Sequence, residues 1–201
     1  MIYPWNVSVA TMDQTAYADL NEVYHEKQSR MLCMLHAINN LLQGRASSKE
    51  ELDSICIKFD DRQWNNEHRN PFGLGNYDVN VLTECLARKG YDLVWYNKSK
   101  GFEDNLKNDV LGFIVNVPSW MSLFGVPLPF KGAHWFAIRQ LKVNNKEEYY
   151  NLDSKLPKPT VIAPDRQRLN SYIDELLFKS KSASQTHLFI VRPVEPTYEL
   201  A

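Results

Sequence analysis

The sequence has little net charge and few cysteines. Its 23 Lys and Arg residues nearly balance 24 Asp and Glu residues, which gives a formal net charge of −1. Proteins that bind nucleic acids through phosphate contacts usually carry an excess of basic residues, so we expect no nucleic acid partner. The three cysteines, Cys33, Cys56 and Cys85, are an odd number at wide spacing. This excludes a small disulfide-based scaffold and favours a reducing compartment.

Two kinds of targeting segment are also missing from the sequence. The first ten residues lack the charged and apolar regions of a secretory signal peptide, and we therefore expect a cytoplasmic protein. Residues 111–130 contain no charged side chain, but three prolines and two glycines in this stretch would interrupt a membrane-spanning helix. We expect no transmembrane segment and predict instead a buried strand over residues 111–117, followed by an apolar loop.

The composition is that of a folded protein. The chain has 201 residues, of which 44% are hydrophobic, 12% aromatic and 23% charged. This length is typical of one domain with short appendages. We predict an N-terminal arm over residues 1–22, a domain over 23–193 and a C-terminal tail over 194–201.

The spacing of apolar residues predicts the order of helices and strands. Helical spacing occurs at residues 32–43, 48–59, 78–90 and 169–177. Short β-branched or aromatic runs occur at residues 91–96, 111–117, 135–141, 149–152 and 187–191. We expect Gly44 to end the first helix, Phe59 to lie on the apolar face of the second, Asp78 to cap the third and Gly90 to end it. Because helices mainly precede strands, the pattern predicts an α+β fold with N-terminal helices packed on an antiparallel sheet.

Cys33 is the candidate nucleophile. The apolar residues that follow it recur at helical spacing, which places Cys33 in the first turn of a mostly buried helix. A helix N-terminus favours the thiolate form of a thiol placed there, and the thiolate is the reactive form. Cys56 and Cys85 lie inside apolar helical stripes, so we expect them to be inert core residues.

Two histidines are candidates for the base that activates the thiol. His36 lies one helical turn after Cys33, where its ring would project alongside the thiol with no room for a carbonyl between them. We also expect no further group to orient His36. His134 begins a predicted strand and is the better candidate.

Asp153 is the candidate partner of His134. If Asn144 and Asn145 form a two-residue hairpin turn, residue 143 pairs with residue 146, and Asp153 then faces the same side as His134. An odd number of loop residues would place Asp153 on the other face. A thiolate, an imidazole and a carboxylate form the Cys-His-Asp version of the acyl-transfer triad.

Gln28 is the candidate oxyanion donor. It lies five residues before Cys33, just upstream of the helix. Its side-chain amide and the backbone N–H of Cys33 can therefore converge on the oxygen that becomes negative during attack. Taken alone, Gln28 is more typical of a solvated polar residue, and only the other three residues favour this role.

Five separate blocks occur in the sequence in this order: His25-Glu26-Lys27-Gln28, Leu32-Cys33, Asn39-Asn40-Leu41, Gly132-Ala133-His134-Trp135-Phe136 and Tyr150-Asn151-Leu152-Asp153-Ser154. Together, these blocks resemble the Josephin domain of papain-like deubiquitinases. The resemblance covers residues 24–191 and is closest to the short Josephin-only proteins. It implies a papain-like fold and a cysteine-type ubiquitinyl hydrolase that cleaves bonds to the C-terminal glycine of ubiquitin. Ubiquitin and its conjugates are the implied partners, with Cys33 as nucleophile, His134 as base and Gln28 at the oxyanion.

Some alternatives remain open at the level of sequence. Part of the family, the ataxin branch, has Asn where this chain has Asp153. A ubiquitin-binding module with weak or no catalysis, or an acyltransferase that uses the same thiolate, would share many of these residues. Cys33 and His36 could also begin a zinc site, but no second close pair of ligands completes it. We expect neither a metal nor another cofactor.

Overall fold

The computed structural model describes residues 22–29, 31–59, 77–106, 109–123 and 126–194. Nearly all of the predicted N-terminal arm and C-terminal tail therefore lies outside the described residues. The helices are α1 (Cys33–Leu42), α2 (Lys49–Phe59), α3 (Val79–Ala87), α4 (Phe102–Asn105) and α5 (Arg166–Asp174), with a π-helical turn at Glu175–Lys179 and a 3-10 turn at Ala183–Gln185. None of the helices in this part of the chain has the length and apolar character needed to cross a bilayer.

One sheet of six strands forms the centre of the fold. The strands are β1 (Tyr91–Trp95), β2 (Gly112–Leu123), β3 (Val126–Val143), β4 (Lys146–Asn151), β5 (Thr160–Ala163) and β6 (His187–Pro193). Their order across the sheet is β1-β6-β2-β3-β4-β5, and neighbouring strands are antiparallel. The predicted α+β architecture is confirmed. Elements α4 and β5, of four residues each, were missed because segments this short show no clear period.

The apolar loop predicted after residue 117 is wrong, because β2 continues to Leu123 and pairs with the first half of β3. Prolines made this stretch resemble a loop in the sequence. However, the pairing of β2 with β6 ends at Asn116, so Pro118 lies where β2 has a single neighbouring strand. A proline is tolerated there because its missing N–H is not needed for a second ladder.

The predicted helix ends are mostly confirmed, with two corrections. Asp78 caps α3 by accepting hydrogen bonds from the backbone N–H of Asn80 (2.9 Å) and Val81 (3.2 Å), and Gly90 follows with φ of 81°. At the end of α1 the left-handed residue is Gln43 (φ 56°), one position before Gly44. Phe59 is 43% exposed, whereas Leu52, Ile55 and Cys56 on the same predicted face of α2 are fully buried.

The sheet is covered by helices on both faces. Helices α1, α2 and α3 pack on one face, which includes Trp135 and Ala137, and helix α5 packs on the opposite face, which includes Phe136 and Ile138. Helix α1 lies very close to the sheet: a side chain at Gly112 would come within 2.8 Å of Leu41 Cδ1 and 2.6 Å of the carbonyl oxygen of residue 138. This tight packing fixes α1, and with it Cys33, against the central strands.

Candidate active site

Cys33 is the first residue of α1 and is 5% exposed. Its Sγ lies 4.0 Å from the carbonyl oxygen of Ala133, the residue before His134. The N-terminus of α1 therefore points at the part of β3 that carries the candidate base. Cys56 and Cys85 are fully buried in the core between helices and sheet, as predicted.

His134 and Asp153 are brought together by the hairpin of β3 and β4. Val143 pairs with Lys146 around a two-residue turn in which Asn144 and Asn145 have φ of 50° and 63°, so the predicted turn and register are confirmed. Strand β4 ends at Asn151, and Asp153 follows it. His134 Nε2 and Asp153 Oδ1 are 2.7 Å apart, and both side chains are mostly buried.

The charges at the site favour an imidazolium and a carboxylate. Burial alone lowers the pKa of His134, but hydrogen bonds and charges from Asp153 and Cys33 outweigh it and hold this pKa above its usual value. Burial raises the pKa of Asp153, but the hydrogen bond and charge of His134, with help from Lys155, leave it below its usual value. Because Nε2 of His134 is used by Asp153, Nδ1 is the ring nitrogen left for Cys33.

The raised pKa of His134 predicts how stability depends on pH. A group whose pKa is higher in the folded state stabilises the fold fully below its unfolded-state pKa, and this contribution is lost as the pH rises through the folded-state pKa. We therefore expect the difference in free energy of unfolding between the wild type and His134→Gln to be largest below the usual histidine pKa of about 6.5 and to shrink as the pH rises above it into the mildly alkaline range. Urea denaturation across this range measures it. A difference that grows with pH would contradict the assignment.

The backbone of Gln28 lies beside the turn that carries Asp153. Its N–H donates a hydrogen bond to the carbonyl oxygen of Ser154 (2.7 Å), and the side chain is partly buried. Residues 22–29 run between α1 and this turn. The structure thus brings Gln28, Cys33, His134 and Asp153 to one end of the sheet.

Comparison with known proteins identifies the family. The family model described as Josephin matches residues 28–192. The chain belongs to the Josephin family. A Josephin-like protein of Drosophila melanogaster is 43% identical over 156 residues, which are 77% of this chain and 69% of that protein. Josephin-2 of Homo sapiens is 41% identical over 143 residues, 71% of this chain and 74% of its own length. Ataxin-3 of Homo sapiens is 27% identical over 164 residues, 72% and 40% of the two chains.

Membership in the Josephin family confirms the predicted fold class. The Josephin domain has a papain-like fold, and the described residues form helices packed on a six-stranded antiparallel sheet. Helix α1 begins at Cys33, and strand β3 carries His134. The resemblance found in the separated sequence blocks is therefore a family relationship along most of the chain.

Several contacts around the site of this Josephin domain were not predicted from the sequence. Asn40, which is fully buried in α1, accepts a hydrogen bond from the N–H of Glu26 (2.6 Å) and donates one to the carbonyl oxygen of Leu152 (2.9 Å). His25 Nε2 lies 3.0 Å from the carbonyl oxygen of Asp153. The sequence did contain one signal for the contacts of Asn40, namely the polar pair Asn39-Asn40 inside an apolar helix. A buried amide needs hydrogen-bond partners, so this pair indicates that other polar groups lie nearby.

The expectation that no group orients His36 is wrong. Nδ1 of His36 is 2.7 Å from Oε2 of Glu26, so this histidine also has a carboxylate partner. Its other ring nitrogen, Nε2, receives the backbone N–H of Ser29 (3.2 Å). His36 thus contacts the segment before the helix, whereas His134 is the histidine whose protonation Cys33 favours. In the described part of the chain, no three His, Cys, Asp or Glu side chains converge as a metal site.

Proposed function

We propose that this Josephin domain is a deubiquitinating thiol hydrolase that cleaves bonds to the C-terminal glycine of ubiquitin. The observation that supports it best is the 2.7 Å contact between His134 and Asp153, next to a cysteine that begins α1 and favours the protonated form of His134. These are the parts of a cysteine triad, with nucleophile, base and orienting carboxylate.

The reaction divides into two acyl transfers. The Cys33 thiolate attacks the carbonyl carbon of the terminal glycine, and the electron pair moves to the carbonyl oxygen. The side-chain amide of Gln28 and the N–H of Cys33 donate hydrogen bonds to this oxyanion. When the tetrahedral intermediate collapses, the C–N bond breaks and the leaving amine takes the proton of His134, which leaves a thioester on Cys33.

Water completes the cycle. His134, now neutral, takes a proton from a water molecule whose oxygen attacks the thioester carbonyl. The C–S bond then breaks, ubiquitin leaves as its C-terminal acid, which loses its proton to the solvent, and Cys33 returns as a thiolate next to protonated His134. Asp153 holds the ring through both steps, because its Oδ1 faces Nε2 and leaves Nδ1 toward the reacting atoms.

The remaining parts of the proposal concern partners and context. Ubiquitin and ubiquitin conjugates are the proposed partners, the cytoplasm is the proposed compartment, and residues 23–193 are the proposed catalytic domain. Family membership supports ubiquitin as the acyl group, and the matched residues, 28–192, lie within the proposed domain. No cofactor enters the proposed chemistry, since thiolate, imidazole and carboxylate suffice for acyl transfer.

Ubiquitin with a C-terminal electrophile tests this function directly. We expect a covalent adduct at Cys33, and we expect hydrolysis of a ubiquitin C-terminal fluorogenic substrate. Tight binding without an adduct would identify a binding module instead. Products in which ubiquitin is transferred to an added amine in preference to water would identify an acyltransferase.

A further inference from the structure

His36 is a buried histidine at the site that the proposed triad does not use. It lies three residues after Cys33 and is 7% exposed. Both ring nitrogens have partners: Nδ1 contacts Oε2 of Glu26 at 2.7 Å, and Nε2 lies 3.2 Å from the backbone nitrogen and 3.3 Å from the hydroxyl oxygen of Ser29. Such complete pairing ties the ring to one orientation.

These contacts determine the tautomer of His36. A backbone N–H can only donate, so Nε2 must accept from Ser29, and the ring hydrogen is then on Nδ1 and points at Glu26. Burial raises the pKa of Glu26, but hydrogen bonds from Tyr24, His36 and Asn39 outweigh it and keep this pKa below its usual value. Glu26 is therefore an ionised acceptor that keeps the Nδ1–H tautomer in place.

The Nδ1–H tautomer of His36 matters because it leaves Nε2 as the acceptor for Ser29, in the segment that carries Gln28. Gln28 and Ser29 have consecutive backbone N–H groups, and each has its own acceptor. The first donates to the carbonyl oxygen of Ser154, the residue after Asp153, and the second donates to His36, on the helix of Cys33. Two adjacent hydrogen bonds thus fix Gln28 relative to both the helix of the nucleophile and the turn of the carboxylate.

We propose that Glu26 and His36 are positioning residues for the oxyanion, which hold the backbone of residues 28 and 29 so that the Gln28 amide faces the carbonyl attacked by Cys33. This role rests on the proposed function. Oxyanion donors act only when they are held in place before the reaction, and a misplacement of about 1 Å can cost about 10²-fold in rate. His36 touches no reacting atom in this scheme and acts through Gln28.

Two substitutions of His36 separate its two contacts. His36→Asn keeps a donor near the position of Nδ1 for Glu26 but removes the acceptor for Ser29, whereas His36→Gln places a carbonyl oxygen near the position of Nε2. On a ubiquitin C-terminal fluorogenic substrate, we expect His36→Asn to lower kcat about tenfold to a hundredfold with little change in KM. We expect His36→Gln to recover most of this loss.

A double substitution shows whether His36 acts through Gln28. If it does, adding His36→Asn to Gln28→Ala causes no further loss of kcat, because the group that His36 positions is already gone. Alkylation of Cys33 by iodoacetamide is the control, since this displacement forms no oxyanion. We expect its rate to be the same in the wild type, His36→Asn and His36→Gln.

The outcomes that overturn this role are distinct from those that overturn the proposed function. If the wild type is active, three results would each refute positioning by His36. These are an unchanged kcat in His36→Asn, an additive loss of kcat in the double variant, and a loss of iodoacetamide reactivity in His36→Asn that equals its loss of kcat. Hydrogen exchange of the Ser29 amide adds a measurement without ubiquitin: we expect protection in the wild type and His36→Gln and its loss in His36→Asn. Equal exchange of the Ser29 amide in the wild type and His36→Asn would refute the hydrogen bond between Ser29 and His36. A wild type that cleaves no ubiquitin conjugate would refute the proposed function, and the positioning role with it.

Discussion

Replacing Cys33 by Ala is expected to abolish both adduct formation with a ubiquitin C-terminal electrophile and hydrolysis of ubiquitin conjugates. The substitution removes the only thiol that the fold places at a helix N-terminus beside His134, within the part of the chain that is described. Loss of a nucleophile from a triad costs on the order of 10⁴-fold or more in kcat. Adduct formation by mass spectrometry and kcat on the fluorogenic substrate measure the effect.

Cys56 and Cys85 provide matched controls for this prediction. Both are fully buried, and burial raises the pKa of the Cys85 thiol, which keeps it protonated at neutral pH. We expect Cys56→Ala and Cys85→Ala to react with the probe like the wild type, after correction for any unfolded fraction. Labelling of Cys56 or Cys85 to the same extent as Cys33 would contradict the assignment of the nucleophile.

The pairing of His134 with Asp153 was predictable from the sequence because strand geometry has a period of two. Once Asn144 and Asn145 are recognised as a two-residue turn, every later residue of the hairpin is assigned to a face. The position of Cys33 was predictable for a similar reason, since the apolar period of α1 begins at Leu32, the residue before it. In both cases a local rule sets the geometry over a short distance along the chain.

The hydrogen bonds that support the site were not predictable in this way. Glu26, His36 and Asn40 meet because an extended segment of the chain lies between α1 and the turn after β4, and no local period describes such a segment. The extension of β2 beyond residue 117 was missed for a related reason. Proline and glycine indicate loops in a sequence, whereas their cost in a strand depends on which neighbours the strand has.

The two histidines of the site are expected to differ sharply in their effect on turnover. His134 is the proposed acid and base for the reacting atoms, whereas His36 acts only through the position of Gln28. His134→Ala is therefore expected to remove turnover, and His36→Ala to leave a partial activity. A folded His36→Ala protein without activity, next to an active His134→Ala protein, would require a different triad.

The last prediction ranks substitutions of Asp153. In a serine triad the change from Asp to Asn costs about 10⁴-fold in rate, because the carboxylate must stabilise the imidazolium that forms during the reaction. A cysteine site differs, since a thiolate at Cys33 would itself stabilise protonated His134, and we expect the third residue mainly to hold the ring. An amide oxygen can accept the same ring N–H. We therefore expect kcat/KM to fall in the order wild type, Asp153→Asn, Asp153→Ala, His134→Ala.

The surroundings of Asp153 explain why an amide is expected to serve in its place. Oδ1 of Asp153 also accepts the backbone N–H of Lys155 (2.8 Å), and the N–H of Asp153 donates to Oδ1 of Asn151 (2.9 Å). An asparagine oxygen can keep both roles of Oδ1, so the side chain retains its orientation, whereas alanine leaves His134 without an acceptor. Steady-state kinetics on the ubiquitin fluorogenic substrate rank the variants. If Asp153→Asn falls to the level of His134→Ala, the negative charge of Asp153 is indispensable, and the Cys33 thiolate does not replace it.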